Sequence, residues 1–450
     1  MARATHGRAT RSRQASTPGH AFESVRALPE DWWALRIQPP SRRHQGRFLE
    51  PPRTRRERRF HAIGGVSRRT QNSIDRRQAH SSRHRMSVNH FKLTCLGLFV
   101  GLCVSSPAHA DDRLQKQVHR FVADAHFNGV VLTGKDERAE YVEAFGVADA
   151  DSKRPLQRNS RFFVGSVSKW LTTIVVLRLV DKGKLALDEP ILTYLPEYRA
   201  DTGKQLTLRH LLSHGSGLPN GLMDAFKKDP SIESETRPQA EAVTRYASGD
   251  LVFTPGTRFD YNITNWILVQ AILERVSGQS YAELAQRLVL KPLRMADSGI
   301  AAAEAGNVPN LALGYRSLEP KVERRVYTLP NYLLTGGGFY STAEDMLRLN
   351  HGVLSGKLLS PASRKALLNV ERPESAYALG GRVRTYETKG KSAQTVATND
   401  GTSGAYRTVS WRVLDDGRTV IILSNLRPDD SKMFALTESL LGLQSARKEN

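Results

Sequence analysis

The chain has 450 residues and a formal net charge of +21, and 39% of its side chains are hydrophobic, a length that gives two or three domains as a first expectation. The charge is uneven: residues 1–85 carry 20 Arg and no Lys against 6 acidic side chains, +14 of the +21, and the +7 left to the remainder does not call for an anionic polymer as partner. The two cysteines, Cys95 and Cys103, sit in one short apolar segment, which excludes a disulfide framework or a Cys-based metal site from the rest.

In residues 1–85 the apolar positions follow neither a helical nor a strand period, and runs such as Arg53 to Arg59 repel themselves. Such a stretch cannot bury enough surface to offset its ordering entropy. Residues 86–110 have the three-part layout of a secretory signal peptide. Met86 leads to a single basic residue, Lys92, then to the apolar run Leu93–Val104, then to Ala108-His109-Ala110. The run has 12 residues, short of the roughly 20 needed to span a bilayer. A signal of this kind works at an N-terminus, so Met86 is expected to be the true start and 1–85 a mis-assigned upstream or disordered segment. An Arg-rich nucleic-acid arm and an organellar transit peptide are the weaker alternatives. Leu102 precedes Cys103 where a lipoprotein signal would carry Gly or Ala. The expectation is a periplasmic or secreted protein without a stable membrane anchor, cleaved before Asp111. Residues 111–450 then form one large unit with a substantial core.

Within that unit Arg113–His126 reads as an amphipathic helix. The stretches Gly129–Thr133 and Tyr141–Val147 read as strands, with Gly134 and Asp136 at the turn between them. Asp149-Ala150-Asp151 lacks the Gly and terminal Glu of a calcium loop and reads as a solvated turn. From Ser166 to about Leu368 helical periodicity dominates, broken by Gly and Pro. Gly336-Gly337-Gly338 lacks a following Lys-Ser/Thr and is no phosphate loop; close backbone approach in a site wall suits it better. Ala378–Thr385, Tyr406–Leu414 and Thr419–Leu423 read as strands, Asp415-Asp416-Gly417 as a hairpin turn, and Asp430–Leu443 as a final helix. Strands at both ends with helices between predict an α+β fold, an antiparallel sheet built by both termini around a mostly helical inserted region.

One segment carries chemistry. Phe162-Phe163-Val164-Gly165-Ser166-Val167-Ser168-Lys169 runs into Trp170-Leu171-Thr172-Thr173-Ile174-Val175-Val176-Leu177, a Gly-preceded start of an almost wholly apolar, hence buried, helix. Ser166 in the first turn meets the positive dipole end, and Lys169 lies on the same face one turn on. Burial disfavours an ammonium, which leaves an amine able to accept a proton, and a hydroxyl beside it is an activated nucleophile. Taken alone the pair is equally an ordinary helix start with a snorkelling lysine. A second Ser-x-x-Lys, Ser445 to Lys448, lies in a polar tail and carries no function. The 13 His residues show no His-Glu-x-x-His spacing, so no zinc peptidase is expected and no metal or cofactor; His210 and His214, four apart, read as structural.

Gly165-Ser166-Val167-Ser168-Lys169 resembles the nucleophile motif of the serine β-lactamase and penicillin-binding-protein superfamily, in particular its class C β-lactamase, DD-peptidase and esterase branch. Leu206 to Pro219, Pro255-Gly256-Thr257-Arg258-Phe259-Asp260-Tyr261, Gly336 to Met346 and Tyr377 to Val383 resemble further segments of that branch, in the same order. The resemblance spans essentially residues 111–445 and implies a β-lactamase/transpeptidase-like fold. It also implies roles: Ser166 as the acylated nucleophile, Lys169 and Tyr261 as its proton acceptors, and the backbone N–H groups of Ser166 and Thr402 as the oxyanion site. Tyr261 on its own would read as a core or rim residue.

Two motifs depart from the family pattern. Tyr-x-Asn is replaced by Tyr261-Asn262-Ile263, and Ile263 cannot hydrogen-bond the lysine or the substrate, so Asn262 or Asn265 is the substitute to look for. The Lys-Thr-Gly or His-x-Gly motif is replaced by Asn399-Asp400-Gly401, expected to line the substrate site without its cation. A neutral Asn399 and an acidic Asp400 do not attract a carboxylate, and Arg407 is the nearest residue that could restore the charge. The reading is therefore a serine hydrolase acting through an acyl-enzyme on a small-molecule or peptide ester or amide, weak on β-lactams and D-Ala-D-Ala peptides. The alternative is a non-catalytic relative that binds peptidoglycan fragments or acylating ligands. The sequence says nothing of oligomeric state.

Overall fold

The structure, a computed structural model, describes residues 107–304, 308–388 and 391–444. The Arg-rich segment, nearly all of the signal-like segment and the second Ser-x-x-Lys lie outside those residues. Helix α1 runs over Pro107–Ala125, so helical backbone continues through the expected cleavage point before Asp111. Strands β1 (Gly129–Lys135) and β2 (Arg138–Phe145) come next. The insertion then supplies the buried helix α2 (Val167–Val180), the short helix α3 (Leu208–Leu212), α4 (Asn265–Ser277) and α5 (Ala343–Leu354). The C-terminal part supplies β3 (Arg382–Thr388), β4 (Lys391–Ser403), β5 (Tyr406–Val413), β6 (Arg418–Ser424) and helix α6 (Asp430–Leu441).

The sheet order is β3-β4-β5-β6-β1-β2, every neighbour antiparallel. The last strand therefore pairs with the first, Gly129 opposite Ser424 and Lys135 opposite Arg418, which closes both chain ends into one sheet around the helical insertion. Alternation along the strands explains the core. Val130 and Leu132 of β1, with Ile421 and Leu423 of β6, face α2 and the insertion. Val131, Val420 and Ile422 face the opposite way and pack with α1 and α6. A central strand is covered on both faces, so β6 is buried almost throughout, and its unbroken apolar run Val420–Leu423 is short enough to be read as a strand.

Glycines account for three of the boundaries that depart from the sequence expectation, whereas β1 runs on through Gly134 to Lys135 and the chain turns at Asp136. The second strand stops at Phe145, because Gly146 (φ +84°) turns the chain where a Cβ would lie 1.8 Å from Asn128 Oδ1. The strand expected from Ala378 begins only at Arg382, after Gly380 (φ +73°). Helix α6 ends at Leu441 because Gly442 takes the left-handed cap conformation. Strand β4 has no sequence signature, since its second half, Asn399 to Ser403, is polar or glycine and shows no apolar alternation.

Candidate active site

Twelve of the fourteen residues of α2 are buried, which fixes the helix and with it the direction of its first turn. Lys169 is 3% exposed, one turn beyond Ser166, and its Nζ donates to Ser166 Oγ at 3.1 Å and to the Gly336 carbonyl at 2.9 Å. The glycine run expected in the site wall thus supplies an acceptor for the lysine. Tyr261 arrives from the loop ahead of α4, and its Oη lies 2.8 Å from Ser166 Oγ. Lys169 Nζ also sits 5.4 Å from the Tyr261 ring centre and 5.7 Å from that of Trp266. Ser166, Lys169 and Tyr261 therefore converge on one oxygen, although the first and the last stand 95 positions apart in the chain.

The edge of β4 completes the cleft. Strand β3 pairs with β4 only as far as Arg382 opposite Thr398, so residues 399–403 have β5 on one side and an open edge on the other. The nucleophile turn packs against that edge through two glycines. A Cβ on Gly165 (φ +56°) would lie 2.6 Å from Thr402 N, and one on Gly401 would lie 2.0 Å from Val164 O and 3.0 Å from Ser166 N. That contact brings the backbones of Ser166 and Thr402 side by side, the arrangement two oxyanion donors need. Ser166, Tyr261, Tyr377, Gly381, Arg382 and Asn399 are among the residues lining the cleft.

Asn399 is 3% exposed and its Nδ2 has no hydrogen-bond partner among the described residues, so it can donate to a bound molecule. Asp400 borders the cleft, but strand alternation turns its carboxylate to the other sheet face, where it accepts Trp411 Nε1 at 2.8 Å. The expected repulsion by Asp400 is corrected accordingly: the charge is engaged on the far side. Arg407 is not a substitute cation either. It is 1% exposed, pairs with Asp430 at 2.6 Å and holds the Gly401 carbonyl at 3.2 Å, bracing the strand edge from behind.

Asn262, expected to contact substrate, does not reach the cleft. It is 1% exposed; its Nδ2 donates to Leu218 O at 2.6 Å and its Oδ1 accepts Thr264 N at 2.8 Å. Asn265 is equally committed, donating to Leu211 O and accepting Ser216 Oγ. Both asparagines pin the Tyr261 loop to the segment after α3. Ile263 packs against the main core. The cation that does line the cleft is Arg382, its guanidinium over the Tyr377 ring at 5.3 Å. It is not legible in the sequence, because its direction is set by the turn at Gly380, which no local pattern announces. His214, read from the sequence as structural, is fully buried beneath Tyr261, and burial first, then the charges of Lys169 and Arg382, push its pKa well below the ordinary value.

Comparison with known proteins fits this geometry. A family model described as Beta-lactamase matches residues 114–442. Esterase EstB of Burkholderia gladioli is 31% identical over 274 residues, 52% of this chain and 69% of its own length. Penicillin-binding protein 4* of Bacillus subtilis (strain 168) is 26% identical over 321 residues, 67% of this chain and 69% of its own. The crystal structure of a penicillin binding protein from Bacillus halodurans aligns at 25% identity with a TM-score of 0.61, covering 72% of this chain and 98% of that one.

Proposed function

The chain belongs to the beta-lactamase family and is a serine hydrolase, and on that premise we propose that Ser166 is its nucleophile and that its preferred substrates are small esters or amides rather than β-lactams. The observation that carries the reading is the convergence of Tyr261 Oη at 2.8 Å and Lys169 Nζ at 3.1 Å on Ser166 Oγ. Two groups are thus within proton-transfer reach of one hydroxyl.

In the proposed reaction Oγ bonds to the substrate carbonyl carbon as its proton passes to the Tyr261–Lys169 pair. The carbonyl oxygen becomes an oxyanion facing the N–H groups of Ser166 and Thr402. Collapse breaks the bond to the leaving alcohol or amine, which takes the proton. Water then attacks the acyl-enzyme by the same steps in reverse and frees Ser166. Asn399 Nδ2, buried and unpartnered among the described residues, is suited to donate to a carbonyl of the substrate.

The substrate preference rests on the neutral Asn399 at the position where β-lactam-processing relatives are expected to carry a cation, and on Arg407 being spent behind the strand. The esterase name of the 31% identical relative points the same way. Arg382 is the group that works against it, since it does line the cleft. Turnover of a short-chain nitrophenyl ester set against a chromogenic cephalosporin tests the preference. We expect the ester to be hydrolysed and the cephalosporin to be poor; a fast cephalosporin with inert esters overturns it. We further propose, from the layout of residues 86–110, that the protein is exported to the periplasm or beyond, with Asp111 as the N-terminus of the native form.

A further inference from the structure

We infer that His214 is a positioning residue for Tyr261, holding the phenol oxygen against Ser166 by a ring stack from below and a hydrogen bond to the next backbone amide; the inference rests on the proposed role of Tyr261. The two rings stack 4.3 Å apart at 27°, whereas Tyr377 meets the Tyr261 ring edge-on at 6.5 Å. The Asn262 N–H donates to His214 Nδ1 at 3.0 Å, so the imidazole also fixes the peptide that leaves Tyr261. One side chain thereby restrains both the ring and the backbone of the residue whose Oη meets Ser166.

The imidazole is itself held on every side. Phe259, Trp266 and Tyr377 pack around it at 6.0, 5.9 and 5.0 Å, and its backbone carbonyl accepts the Asp260 N–H at 2.9 Å. Its own backbone is left-handed, φ +56°, a conformation in which His and Asn are enriched and most other side chains are strained. The charged groups that reach it, Lys169 and Arg382, are both cations and with burial keep the ring neutral. A neutral ring with Nδ1 accepting carries its proton on Nε2, which has no polar partner among the described residues. The ring thus supports Tyr261 by contact and not by charge.

The stack and the acceptor can be separated. His214→Asn keeps an acceptor near Nδ1 and tolerates the positive φ, but removes the ring; His214→Phe keeps the ring face and removes the acceptor. With a nitrophenyl ester, His214→Asn is expected to lower kcat about 30-fold with KM within about threefold, the scale that loss of orientation reaches. His214→Phe is expected to stay within about fivefold of wild-type kcat while melting at a lower temperature, because the Asn262 N–H is left unpaired. Loss of activity then follows the ring and loss of stability follows the acceptor. A folded His214→Asn with kcat within twofold of wild type, beside an inactive Ser166→Ala, overturns the positioning role alone. If His214→Asn does not fold, His214→Gln, which also keeps an acceptor and removes the ring, decides: kcat within twofold of wild type beside an inactive Ser166→Ala also overturns it. Full activity in Ser166→Ala instead removes the reading beneath it, and the two failures stay distinct.

Discussion

The nucleophile turn and the tyrosine loop meet at one oxygen but are built in opposite ways. Ser166 and Lys169 are related by a single turn of a helix that is buried almost all round, so their mutual geometry is local. Tyr261 hangs from a loop without regular structure, held by His214, by Asn262 bonded to Leu218 and by Asn265 bonded to Leu211. Fragility therefore lies in the tyrosine loop. The first half of the site is as firm as the core, whereas the second depends on polar contacts with a segment 44 to 54 residues earlier in the chain.

The oxygen shared by both halves is where a substitution costs most. Ser166→Ala is expected to lower kcat/KM by roughly 10⁴-fold or more, since residues that act as a unit fail together. Steady-state ester hydrolysis measures it, and the melting temperature should barely move, because a hydroxyl that is only half-buried is lost. Tyr261→Phe comes next, with an expected loss of about 10²- to 10³-fold in kcat, in the range of general acid–base catalysis. The ring and its stack on His214 remain, so KM should change little. Equal activity of the Phe variant would mean that Lys169 alone takes the proton.

A subtler variant sharpens the contrast. Asn262→Ala removes the donor to Leu218 O and the acceptor of Thr264 N, both buried. Leaving such groups unpaired costs about 1–3 kcal/mol of stability, read as a lower denaturant midpoint. Activity should fall through kcat as the Tyr261 loop loosens. A contact with substrate would show in KM instead, so the two parameters separate the observed role of Asn262 from the one its sequence position suggests.

The same contrast decides how much is legible in the sequence. The pair Ser166–Lys169 can be read from spacing and from the apolar run after it, because a buried helix writes its own pattern. The sheet built from both termini follows from short, strand-length runs in β1, β5 and β6, bounded by turn residues. Tyr261 comes only from resemblance, and Asn262 has a different task from the one its motif position suggests, since a side chain in a loop points where tertiary hydrogen bonds send it. Asp400 and Arg382 show the same limit at the sheet edge. Which face Asp400 takes is set by its register with β5, and Arg382 owes its direction to the Gly380 turn.

The smallest expected effect tests the tyrosine loop by pH. Burial holds His214 well below its ordinary pKa near 6.5, and burial together with the neighbouring Arg372 lowers that of His210. A histidine whose folded pKa is depressed binds protons more readily when unfolded. Its contribution to stability is therefore complete above about pH 6.5 and declines as the pH falls below that value towards the folded pKa. Each such group changes stability by up to about 1.4 kcal/mol per pH unit across that window. Wild-type protein melted at pH 7 and pH 5 should lose stability on acidification, and His214→Asn should lose less over the same interval, having one buried imidazole fewer to protonate. Identical slopes for the two proteins would mean that the imidazole takes up its proton as readily folded as unfolded, and once protonated it could not accept the Asn262 N–H that ties the loop to it.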